Sequence, residues 1–162
     1  MKRSVAFSTF GLAIVLRLAL ASSAAAGTTS VPVKMTFAEP IVPGLVKGCS
    51  AGPDGFCGSG QVIPFGRATE TIEFNAGCSG GCDLRTIHLA SGTLSIDETF
   101  SDPTCPGSCQ PNPAEPDSGL LTDVIVGGTG AFAGASGTLT GSVTAAGPQS
   151  TVRLAGTILL DP

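Results

Sequence analysis

The sequence predicts an all-β domain of eight strands, carried behind an N-terminal export signal. Three observations predict it. After residue 26 no stretch sustains helical periodicity, apolar and polar residues alternate over short runs, and clusters of Gly and Pro bound those runs. Strand-length runs recurring about every 8–12 residues belong to a sandwich or a barrel.

The signal comes first. Lys2 and Arg3 give a positive start, residues 5–21 a mostly apolar run, and Ala24, Ala25 and Ala26 an A-x-A-like cleavage site before Gly27. Arg17 interrupts the run, which is also short of the ~20 apolar residues a membrane-spanning helix needs. Residues 1–26 are therefore read as a signal peptide whose helix lies outside the domain. Residues 27–162 form the domain, secreted to the periplasm or the cell exterior.

The strands follow in order. Val31, Val33, Met35 and Phe37 share one face of the first. Residues 61–65 and 68–74 form the second and third, separated by Pro64 and Gly66. Residues 84–90 and 93–100 pair through a turn at Ser91-Gly92. Residues 120–126 form the sixth. In 138–145, Leu139 and Val143 point inward and the intervening Thr and Ser residues outward. In 151–160, Val152, Leu154, Gly156, Ile158 and Leu160 share a face.

Between the fifth and sixth strands, residues 101–119 carry Pro103, Pro106, Pro111, Pro113 and Pro116, which disqualifies the segment as a strand. It reads as a surface loop tied by a disulfide. All six cysteines lie beyond the signal, and an even count in an exported chain implies a disulfide framework. Their spacing groups them as Cys49–Cys57, Cys78–Cys82 and Cys105–Cys109, each pinning a loop. Zinc is the competing use of two C-x3-C spacings, but the only histidine, His88, stands outside these pairs.

The most informative stretch is 127–137, which reads GGTGAFAGASG. Gly127, Gly128, Gly130 and Gly134 permit positive φ and close backbone approach. Phe132 is its only large side chain and should plug an end of the core, while Ala135 and Gly137 keep the next strand tight. The stretch resembles the GGTGxFxGAxG segment of the allene oxide cyclase and dirigent superfamily, and that of small secreted bacterial proteins of the same type. The likeness is strongest over 122–142. It continues through Leu154, Ala155, Gly156, Thr157 and Ile158, and more loosely through Gly58, Ser59, Gly60, Phe65, Gly66, Arg67 and Ala68. It implies an eight-stranded antiparallel β-barrel. Allene oxide cyclase isomerises an unsaturated epoxide inside an apolar barrel, and dirigent proteins steer phenoxy-radical coupling. The shared segment is scaffold in both, and no catalytic residue of either is carried across.

Composition narrows the function classes. Without Lys2, Arg3 and Arg17 the chain keeps 5 basic residues against 12 acidic, a net charge of −7. With neither Trp nor Tyr present, basic tracks and stacking platforms for nucleic acid are both missing. No H-E-x-x-H or EF-hand pattern occurs, and a serine-hydrolase triad has no support. Nothing in the sequence calls for a cofactor or a metal, and no membrane association is expected after cleavage.

Three charged residues fall on otherwise apolar faces: Glu70 with Ala68, Ile72 and Phe74; Arg85 with Ile87 and Leu89; Glu98 with Leu94, Ile96 and Phe100. In a barrel they could meet in the lumen and bind a polar group of a ligand, or work as acid and base. A register slip at a bulge would turn any of them outward instead. His88 belongs on the opposite face from Arg85, and Arg67 reads as a barrel-edge charge. Three functions stay open: a non-catalytic barrel binding a small lipophilic molecule, an isomerase or cyclase acting in the lumen, and a cell-envelope or interaction protein with a filled barrel. A lumen plugged by Phe65, Phe74, Phe100 and Phe132 would favour the last.

Overall fold

The computed structural model describes residues 27–40, 55–101 and 117–161. The signal peptide, Cys49, Cys105 and Cys109 lie outside the described residues. Eight antiparallel strands close into a barrel: β1 (Thr29–Pro40), β2 (Gly55–Ile63), β3 (Gly66–Gly77), β4 (Cys82–Leu89), β5 (Gly92–Ser101), β6 (Asp117–Gly128), β7 (Ser136–Ala146) and β8 (Gln149–Leu160). Each strand pairs with its sequence neighbours. β1 and β8 complete the ring along their whole length, from Thr29–Leu160 to Pro40–Gln149. Closure leaves no edge strand among those described, which reduces the aggregation hazard of an open sheet.

Period-2 alternation decides what fills the lumen. Val33, Met35 and Phe37 from β1 meet Leu94 and Ile96 from β5, Leu139 from β7, and Val152, Leu154 and Ile158 from β8 in one buried core. Each such side chain stabilises the fold by ~1.5–3 kcal/mol over leaving it in water. Lys34, Arg67 and Arg153 take outward positions.

The strand expected over 61–65 begins earlier, at Gly55, and ends at Ile63, where the Ile63–Pro64 bond is cis. The glycines of 58–60 are strand residues facing bulk. A Cβ on Gly60 would overlap Thr36 and Phe37, and one on Gly58 would overlap Glu70. Their missing side chains are the space those neighbours fill. The expected loop over 101–119 is likewise trimmed: Ser101 ends β5 and residues 117–119 open β6, leaving 102–116 outside the described residues. Cysteines are not confined to loops either, because Cys57 lies within β2 and Cys82 begins β4. Cys78 and Cys82 form a disulfide with Cα atoms 5.4 Å apart, and Cys57 is also disulfide-bonded.

One end of the barrel is sealed. Residues 127–137 are not one turn: Gly127 and Gly128 finish β6, a 3-10 turn spans Gly130–Phe132, and Gly134 carries φ 73° before β7. Phe132 is fully buried and meets Phe65 edge to face, with ring centroids 5.0 Å apart. A Cβ on Gly137 (φ 139°) would overlap the Thr157 carbonyl of β8, so glycine there permits the β7–β8 seam.

Candidate functional site

Toward the other end the lumen turns polar. Six strands each place one polar residue in the inward slot of the alternation: Glu39 on β1, Glu70 on β3, Arg85 on β4, Glu98 on β5, Asp123 on β6 and Ser150 on β8. All are at most 5% exposed. Arg85 is the hub. Its Nε donates to Glu98 Oε2 at 2.6 Å, and its Nη1 donates to Glu39 Oε1 at 2.9 Å and to Glu70 Oε2. Ser150 Oγ donates to Glu39 Oε2 at 2.7 Å. Three charge-assisted bonds hold one guanidinium in a space where an unpaired charge would cost several kcal/mol, on the order of the effective burial penalty per ion.

Acids exceed bases in this cluster four to one, and the surplus is not hydrogen-bonded. Glu70 Oε1 and both carboxyl oxygens of Asp123 are buried without a hydrogen-bond partner. Burial therefore lifts the Glu70 carboxyl well above its usual range, although Arg85 pulls it down and Glu39 adds to the rise. Burial, reinforced by Glu98 and partly offset by Arg85, pushes Asp123 up to about 7. Both shifts act against ionisation of the surplus acids.

Above the cluster lies a cavity of about 470 Å³. Its walls are mostly apolar: Phe56, Ile72, Phe74, Phe100, Leu121, Val143 and Val152, with Ala145 leaving room and Gly119 admitting the Phe100 ring. Arg85, Glu98, Ser150 and Asp83 supply its polar surface. Phe56 and Phe74 pack edge to face at 5.0 Å. Of the four phenylalanines that could have plugged the lumen, Phe65 and Phe132 seal the far end, whereas Phe74 and Phe100 line the cavity.

The structure brings Glu70, Arg85 and Glu98 together, and no register slip turns them outward. The sequence reading missed Glu39, Asp123 and Ser150. Glu39 and Ser150 sit two residues beyond the faces read from Phe37 and Val152, so extending the alternation would have found them, whereas Asp123 precedes the buried Ile125 on a strand given no face. His88 takes the outer face, its Nε2 3.4 Å from Thr71 Oγ1, and Arg67 is exposed. The letters G-x-S-x-G do occur, at 48–52 and 77–81. The first lies outside the described residues. The second is the turn between β3 and β4, tied by Cys78–Cys82 and followed by a strand, so it is not a strand-to-helix nucleophile elbow. Sulfur atoms of Cys78 and Cys82 lie within 4.8 Å of Asp97, but the disulfide occupies them.

No family model, no curated protein and no solved structure matches this chain.

Proposed function

We propose that this protein is a secreted barrel of the allene oxide cyclase and dirigent-like type that holds a small, mainly apolar molecule in its lumen. One observation carries the proposal: an apolar cavity of about 470 Å³ ends on a floor of fixed polar groups, Arg85, Glu98 and Ser150. This is the usual chemistry of small-molecule sites, where apolar walls give affinity and a few placed polar atoms fix orientation. The floor is held rigid by bonds from β4 to β1, β3 and β5, so little ordering is lost on binding. Export is supported by the sequence of residues 1–26 and is compatible with the disulfide at Cys78–Cys82.

A second reading, an isomerase or cyclase, draws on Glu70 and Asp123, carboxyls that burial makes reluctant to ionise. Neither lines the cavity. A proton donor must reach its substrate within hydrogen-bond distance, and this favours holding over turnover.

Native mass spectrometry of the exported protein tests the proposal. Expected is a bound small molecule that is absent from an Ala145→Trp variant, whose indole would occupy the cavity. Bare protein from every preparation, with no uptake of added decan-1-ol, would overturn it.

A further inference from the structure

We propose that the cavity selects a lipophile carrying a protonated amine, an inference that rests on the binding role above. An arginine at the bottom of an apolar pocket suggests a site for a fatty acid or another anion. Here that arginine is already engaged: three carboxylates surround Arg85, and no other basic side chain of the described residues points inward. What the cavity lacks is a second cation to match its acids. Asp123 and Glu70 Oε1, buried without donors, add to the surplus behind the lining rather than within it.

The cavity wall repeats the imbalance. Asp83 and Glu98 oppose each other across the β4–β5 pairing and both line the cavity. Asp83 Oδ1 accepts the Asn75 backbone N–H at 2.9 Å, which fixes the carboxylate in place. An ammonium group between Asp83 and Glu98 brings several donors and one positive charge to a region of surplus acid. Phe56, Phe74 and Phe100 line the same cavity, and aromatic rings suit a cation and an apolar body alike. A carboxylate head at the same place would face two acids with its charge unmatched.

Calorimetric titration with decylamine, decan-1-ol and decanoate at neutral pH tests this, because the three probes share a chain and differ only in the head. Expected is that the amine binds about tenfold more tightly than the alcohol, with the acid weakest. The Asp83→Asn variant should narrow the amine's advantage over the alcohol by about fivefold. Equal affinities, or the acid binding best, would overturn the amine inference while leaving the lipophile site intact. Binding of none of the three would overturn the lipophile site itself, and this inference with it.

Discussion

Arg85 on β4 reaches across the lumen to Glu39 on β1, donating from Nη1 at 2.9 Å between strands that are not neighbours in the sheet. The contact crosses the lumen and skips β2 and β3 in the wall. Together with Glu70 and Glu98 it makes one side chain the common partner of three strands. Such a cluster costs desolvation free energy. It repays that cost only while every partner is present.

Removing the hub should therefore be severe. Arg85→Leu leaves four buried carboxyls with no cation and should lower stability by about 3–5 kcal/mol at neutral pH. Urea denaturation at two pH values checks it. The deficit should shrink in acid, where the orphaned carboxyls take up protons.

Asp123 predicts a pH slope of definite sign. Its carboxyl titrates near 3.8 in the unfolded chain and is pushed up to about 7 in the fold. Between those values the folded chain keeps a proton that the unfolded chain has released, so stability falls as pH rises. Over that interval this group alone accounts for about 4 kcal/mol. Asp123→Asn should flatten the curve and make the protein more stable than wild type above pH ~7, as read from urea midpoints across the pH range.

Two glycine substitutions should part company. Gly137→Ala meets the Thr157 carbonyl at φ 139° and should cost about 2–3 kcal/mol or more by forcing β7 from β8. Gly147, at φ 61° in the β7–β8 turn, has nothing within 4 Å of a Cβ. Gly147→Asn should cost only about 1 kcal/mol, because backbone strain before Pro148 opposes it but no neighbour does. Thermal melts of the two variants side by side decide it.

The Cys78–Cys82 disulfide closes a loop of only four residues in sequence separation. Chain entropy then assigns it about 2 kcal/mol, less than a long-range bridge would give. Replacing both cysteines by serine should lower the melting midpoint by that equivalent and leave the barrel's far-ultraviolet spectrum unchanged.

Much of the barrel could be read from alternation because period 2 is local. Val33, Met35 and Phe37, or Leu94, Ile96 and Glu98, declare their face without knowledge of any partner strand. Glu39 was passed over because the pattern was followed only through apolar residues and stopped at Phe37. Asp123 was hidden inside an apolar run, 123–126, whose outward residues Val124 and Val126 are themselves exposed hydrophobics. Gly58 and Gly60 fall before the strand read over 61–65 because their reason for being small lies on other strands, at Glu70 and Phe37. The cavity was illegible for the same cause. It exists where Ala145, distant in sequence from Phe56 and Phe74, leaves the lumen unfilled, and where Gly119 lets the Phe100 ring lie against β6.

The central claim is that a ligand enters the barrel at the charged end and rests on the Arg85 cluster. Amide and methyl chemical shifts followed during titration with decan-1-ol test it most directly. Saturable changes are expected at Ile72, Leu121, Val143 and Val152, with the far end around Phe132 unmoved. Changes confined to the outer face, such as Leu120 and Val126, or no saturable change at all, would contradict it.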